Sequence, residues 1–330
     1  MKSVDQLVDR DQPQNLTLAR IGSFQRPTLV VGGIALVLLL FMYFIYPAYP
    51  TTAGKTLAKW TWDACNSQTG FLHGRFIPFA FLVMIWLAWQ KTKEEVLFPS
   101  WFGLFALGLG LLLYVASIRT IQPRLALIGV PFVIIGLSHY CFGWKVTKAV
   151  IFPAFFFWFA IPVPNLEALL TGRLQILITT LCYHFGVLVG MDLTMAGTNI
   201  TVKGVDLEIA PGCSGIRSLM ALVMIAAVYA NYTQKKLWKK ALLFASSFPL
   251  AIVGNFGRIF TILLLAQFGM EDFAKKTYHD WAGLLLFFPI ALSGLYLVDY
   301  ILNFKERRKK KVRRSVRKVN KPLEKEAAKP

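Results

Sequence analysis

Charge is scarce in this sequence: Asp, Glu, Lys and Arg make up 16% of 330 residues, while 56% are hydrophobic, with 27 Phe and 9 Trp. A soluble domain of this length buries one core. It cannot hide eight separate apolar runs of about 20 residues, the length that crosses a hydrocarbon slab of roughly 30 Å. Cysteine is scarce as well. Cys65, Cys141, Cys182 and Cys213 form no CxxC pair and no zinc spacing, so neither a metal site nor a disulfide framework is indicated and no cofactor is expected. No repeat of 20 to 50 residues and no linker divides the chain. No cleavable signal peptide is expected, since residues 1–27 are polar and the first apolar run, Thr28 to Tyr46, has no small-residue cleavage site and reads as an anchor. The few charges present are unevenly placed. Residues 305–321, "KERRKKKVRRSVRKVNK", hold eleven Lys or Arg against one Glu, over half of the net charge of +19. No aromatic residue interleaves them, which argues against a nucleic-acid partner. Such a block beside a membrane helix is a cytoplasmic topology signal that can touch anionic membrane lipid.

The apolar runs predict an all-α polytopic membrane protein with spans at 28–46, 76–90, 101–118, 125–142, 149–163, 216–231, 241–266 and 281–303. Basic loops orient them. "NYTQKKLWKK" at 231–240 and the tail are inside, and counting back puts 191–214 outside. Counting forward from an inside amino terminus puts "QKTKEE" at 90–95 and "GWKVTK" at 143–148 inside; Arg119 and Arg124 fall outside, against the trend. The two counts agree when 173–190, with Arg173, Gln175, Thr179, Thr180 and His184, lies on the outer face as an interfacial or re-entrant helix. The expected arrangement is eight spans in an inner membrane with both termini cytoplasmic. After the outer helix, Ile200 and Val202, then Val205, Leu207 and Ile209, alternate around Lys203-Gly204, which predicts a short extracytoplasmic β-hairpin leading to Cys213.

Three polar features fall at one depth. In "EIAPGCSGIRSLMAL", Cys213 is preceded by Pro211-Gly212 and followed by Ser214, a residue suited to N-cap a helix starting near Gly215. Unpaired N–H groups and the positive helix end beside the sulfur lower a thiol pKa. A cysteine near a membrane helix is ordinarily a small hydrophobe, so position alone settles nothing. In "IVGNFGRIFTILLL", Arg258 needs a partner or a wet cavity, and Asn255 shares its face one turn below; the bland reading is a snorkelling arginine. His279, in "KKTYHDWAG", precedes the last span by two residues and would ordinarily be a wet loop residue. A thiol nucleophile, a permanent cation and a proton carrier converging from different helices on one leaflet are less commonplace than any of the three alone.

With these residues in view, "PGCSGIRSL", then "NFGR", then "YHDWAG" resemble the signature of the exosortase/archaeosortase family of membrane-embedded cysteine transpeptidases. The likeness extends to "WDACNSQTGFLHGRFIPFAFLVMIWLAW" and "FPAFFFWFAIPVP", over roughly residues 60–290. The resemblance implies that 28–303 is an exosortase-like transmembrane domain between a cytoplasmic segment, 1–27, and a basic cytoplasmic tail, 304–330. It implies a catalytic set of Cys213, Arg258 and His279 on the extracytoplasmic face. It also implies a partner class, secreted precursors with a C-terminal sorting signal made of a short motif such as PEP, an apolar helix and a basic cluster, and an association with extracellular polysaccharide production. No appended soluble domain of the kind some members carry is expected.

Arg217, four residues after Cys213, is a candidate to support the thiolate or bind substrate, with interfacial snorkelling as the alternative; Asn255 is a candidate orienter. His73, in "LHGRFIP", falls on the outer side and is a candidate to line the site or to make a structural polar contact. Cys182 and His184 imitate a nucleophile and base, but residues two apart on a helix point apart. Cys65 and Cys182 share the oxidising side and raise the question of a pair. The rival from another class is a transporter or channel with Arg258 and Asn255 along a polar path, in which Cys213 is dispensable. A polysaccharide-ligase-like enzyme would need acidic or histidine residues on long outer loops, and this chain has few.

Overall fold

A computed structural model of the chain describes residues 25–49, 54–66, 71–95, 97–209, 215–270, 273, 288–304, 306 and 308. Residues 1–24, Cys213, Ser214, His279 and nearly all of the basic tail lie outside the described residues. The chain forms two compact units, Met1–Val163 and Pro164–Pro330.

The first unit is helical. α1 (Gln25–Leu40) continues as a π-helical turn, Phe41–Ile45, and short α2 (Leu57–Ala64) follows, its first turn held by the Thr56 hydroxyl accepting from the Lys59 amide at 3.2 Å. A 3-10 turn, Leu72–Arg75, leads into α3 (Ile77–Thr92). α4 (Gly103–Thr120) and α5 (Pro123–Phe142) form a tight antiparallel hairpin. Glycines let their backbones touch: a Cβ on Gly110 would meet Val133 N at 2.8 Å and Gly129 O at 2.9 Å, and one on Gly129 would meet Gly110 O at 2.8 Å. Gly103 faces Gly136 one heptad away in the same way, so small residues at a spacing of seven on each helix make the seam. α6 (Trp144–Phe156) carries Pro153 and tightens into a 3-10 turn, Phe157–Ala160. At one end of this unit Lys145 Nζ pairs with Glu95 at 2.7 Å. At the other end the Tyr49 and Ser117 hydroxyls lie 2.7 Å apart, and Tyr114 donates to the Met42 carbonyl at 2.8 Å.

The second unit opens with α7 (Pro164–Leu188), then a three-stranded antiparallel sheet of β1 (Leu193–Ala196), β2 (Asn199–Val202) and β3 (Val205–Glu208) in the order β1-β2-β3. Val202 pairs with Val205 across Lys203 (φ 50) and Gly204 (φ 81), the double positive φ that a two-residue I′ turn requires. The expected hairpin is therefore present, with one strand more than expected. α8 (Ile216–Thr233) and α9 (Leu237–Gln267) follow, then α10 (Phe288–Phe304). One core joins Ile178 and Cys182 of α7, Ile200, Val202 and Leu207 of the sheet, and Ile259, Ile262 and Leu263 of α9. A second joins Ala226 and Ala230 of α8, Leu243 of α9 and Leu295 of α10. Below it a buried polar chain ties the same three helices: Gln234 and Asn303 both donate to the Asp299 carboxylate, and Lys239 donates to Asn303 Oδ1 at 2.8 Å and Glu306 at 2.9 Å.

Among the described residues five helices are long and apolar enough to cross a membrane, Thr28–Ile45, Gly103–Thr120, Pro123–Phe142, Ile216–Thr233 and Leu237–Gln267, against the eight expected; the first seven residues of the last, 281–287, lie outside the described residues. α3 matches its expected span closely, α10 is described only from Phe288, and α6 gives way to its 3-10 turn after 13 residues, so there the apolar run outlasts the α-helix. The expected outer helix at 173–190 also differs in extent. It starts at Pro164, where a proline at the first helical turn costs no hydrogen bond, and runs 25 residues. Ile178, Thr179 and Cys182 are buried beneath it, while Ile176, Leu181 and Phe185 on other faces are exposed.

Candidate active site

The site is built by three helix faces of the second unit. On α9, Ala251, Gly254, Asn255 and Arg258 recur at three- and four-residue steps and so form one stripe. Ser218 and Leu222 do the same on α8, and Phe288 and Ala291 on α10. Together they line a cleft of about 290 Å³, counting the space open at its mouth. Arg258 is half-buried with its Nε fully enclosed, and Asn255 is 6% exposed. The opposite side of α9 is occupied by packing, where Phe256 and Phe260 meet Phe185 of α7 with ring centroids 5.5 and 5.0 Å apart. Both sides of α9 being committed, Arg258 has no freedom to rotate away from the cleft with its backbone.

The start of α8 locks onto this stripe. Gly215, not Ser214, is the N-cap of α8, with φ +81, and a Cβ there would lie 2.6 Å from Asn255 Cγ and 2.7 Å from Nδ2. Glycine is thus required twice, by the left-handed backbone and by the absence of space. The residue two positions after Cys213 is in contact with the residue one turn below Arg258. That junction sets Gly215 of the "PGCSG" segment directly against the Asn255 side chain of "NFGR".

The other expected residues divide. Arg217 is exposed on α8 and is not among the cleft-lining residues; its neighbour Ser218 is, and sequence reading passed over it. The signal was available, since Ser218 and Leu222 continue the helical spacing from Gly215 while Arg217 does not. His73 belongs to the first unit, in the Leu72–Arg75 turn, where its ring lies 5.5 Å from that of Phe71. Cys182 is fully buried with Sγ 3.9 Å from the Phe256 carbonyl, and His184 meets the Tyr183 ring edge-on, so the two do not make a nucleophile and base. Cys65, Cys141 and Cys182 are free buried thiols, Cys65 in the first unit and Cys182 in the second. Burial pushes the Cys65 thiol up to about 11, the nearby Arg75 charge offsetting part of it. Among the described residues no cluster of His, Cys, Asp and Glu is arranged for a metal. Cys213, Ser214 and His279 lie outside the described residues.

The sequence model of the transmembrane exosortase family matches residues 62–297, more than two thirds of the chain and all of the residues discussed for the site. The chain belongs to the transmembrane exosortase family. No curated protein and no solved structure matches it.

Proposed function

We propose that this protein is a membrane-embedded cysteine peptidase or transpeptidase that removes the C-terminal sorting signal of secreted precursors at the extracytoplasmic face of the inner membrane. Cys213 is the nucleophile, Arg258 the electrostatic stabiliser and His279 the proton carrier. One observation carries the reading: Gly215 rests on Asn255 beside the Arg258 cleft, and two residues of chain reach at most about 7 Å. Family membership supports the substrate class, a short motif followed by an apolar helix and a basic cluster.

The chemistry balances as two acyl transfers. The Cys213 thiolate attacks the scissile carbonyl carbon, and the oxygen takes up negative charge beside the Arg258 guanidinium. Collapse breaks the C–N bond; imidazolium at His279 gives its proton to the departing amine, leaving a thioester and a neutral imidazole. That imidazole takes the proton of an incoming amine, hydroxyl or water, which attacks the thioester and returns the thiolate. An amine or hydroxyl acceptor makes the enzyme a transpeptidase, and water a protease. Arg217 and Ser214 serve binding at the rim, and Asn255 orients the guanidinium and the loop.

The test is a tagged precursor ending in a PEP-like motif, a span and arginines, expressed with the wild-type enzyme or Cys213→Ala. Loss of the C-terminal span with the wild type only is expected. Processing that survives in Cys213→Ala refutes the mechanism.

A further inference from the structure

The end of the first unit that carries α2 is basic without a matching acid. Lys55, Lys59, Arg75, Arg119 and Arg124 belong to the segments that meet there, and Asp63 is the one carboxylate anywhere in residues 46–78 or 116–126. Contacts within the unit bring these segments together: Tyr49 reaches Ser117, Cys65 Sγ lies 3.6 Å from the Ala160 carbonyl, and Arg124 Nε donates to the Pro162 carbonyl at 2.7 Å. Lys55 takes Asp63 at 2.6 Å. Lys59 stands one helical turn before Asp63 on α2 and so shares its face, and the hydrogen bond from Lys55, with the Lys59 and Arg75 charges nearby, holds the Asp63 carboxyl below the usual carboxylate range.

Arg75 is held in place rather than free in solvent. Its guanidinium lies over the Trp62 ring, 4.9 Å from the centroid, and its Nε donates to the Trp62 carbonyl at 3.2 Å. This orientation occupies one nitrogen and leaves the two terminal ones for an outside acceptor. Directly after Arg75 begins an apolar stripe: Phe76, Phe79, Val83 and Trp86 recur at three- and four-residue steps on α3, and each is more than half exposed. A cation fixed on an indole at the head of an outward-facing apolar stripe matches the boundary where lipid tails give way to headgroups. The opposite end of the same unit is different, because there Lys145 is neutralised by Glu95.

We propose that Arg75 and Lys59, braced by Trp62, form a binding site for the headgroup of an anionic phospholipid whose acyl chain lies along Phe76, Phe79 and Val83. Two features favour a lipid over a soluble anion: the apolar stripe continues from the cations without a break, and indole at this level is itself a headgroup-seeking side chain. The site stands apart from the peptidase reading and does not depend on it.

The test is native mass spectrometry of the purified full-length protein titrated with phosphatidylglycerol, with phosphatidylcholine, and with phosphatidylglycerol in the presence of inorganic phosphate. The wild type is expected to retain phosphatidylglycerol in preference to phosphatidylcholine, undisturbed by millimolar phosphate. Lys59→Gln, whose side chain is exposed, and Arg75→Gln should each weaken retention about fivefold. Arg75→Lys should weaken it less, and Lys145→Gln at the far end should leave it unchanged. Equal retention of the two lipids, retention intact in Lys59→Gln and Arg75→Gln, an equal loss in Lys145→Gln, or displacement by inorganic phosphate would each overturn the proposal.

Discussion

At the scale of the residue, the junction of Gly215 with Asn255 decides how the cleft is held. Gly215→Ala adds a methyl where Asn255 stands 2.6 Å away and forces an L-residue to φ +81, so the start of α8 must shift. The expected result is a loss of about 1–3 kcal/mol in unfolding stability with a steep fall in precursor processing, read by a thermal melt in detergent and by cleavage of the tagged precursor. Arg258 makes a separable prediction. If it stabilises charge on the reacting oxygen, Arg258→Gln should reduce kcat about 10²–10³-fold while the protein still binds precursor, and Arg258→Lys should recover part of the loss. Equal activity in Arg258→Gln would remove it from the chemistry. Arg258 and Asn255 were legible in the sequence because polar residues inside an apolar run stand out. Ser218 was passed over although its three-step spacing from Gly215 was there to read, because a serine near a helix end draws no notice until three helices are seen to enclose it.

Elements show where a periodic pattern is a sufficient guide. Alternation around Lys203-Gly204 gave the β2–β3 hairpin with its register, since the turn chemistry and the period agree. β1 escaped because "LTMA" exposes three of its four residues and buries only Leu193, which leaves no alternation to read. The start of α7 escaped for a related reason: polar Asn165 and Glu167 mask its first turn, although Pro164 marks it. The α4–α5 seam offers a paired test of its backbone contact. Gly108→Ala, with nothing within 4 Å of the added carbon, should raise stability by about 0.5–1 kcal/mol, as glycine in a helix gives way to alanine. Gly110→Ala, whose added carbon meets Val133 Cγ2 at 2.5 Å and Gly129 O at 2.9 Å, should lower it by about 1–3 kcal/mol in the same melt. In the second unit, Asp299→Ala removes the acceptor shared by Gln234 and Asn303 and should cost about 1–3 kcal/mol, with Asp299→Asn milder.

For the whole molecule the question is sidedness, which the charge of the loops addresses and the contacts do not. If α8 crosses the membrane once, a reporter active only outside the cytoplasm should work when fused within 193–208 and fail when fused at 234–236. A membrane-impermeant maleimide supplies the matching chemical test. Cys65, Cys141 and Cys182 are buried, so intact cells should take up label at a single position, and Cys213→Ala should abolish it. Labelling that persists would put the reactive thiol elsewhere. Where each helix ends was less legible than where an apolar run lies, because hydropathy records what can sit in lipid and says little about whether the helix there is continuous, as α6 demonstrates by ending at Phe156. One small contact links the sheet to the end of α9. Lys203, at the tip of the sheet, donates to the carbonyl of Gln267, 64 residues later, at 3.0 Å. Synthesis delivers that lysine first, so the end of the longest helix is received by a mooring made before it, and the depth at which α9 comes to rest is measured from the sheet rather than from the bilayer alone.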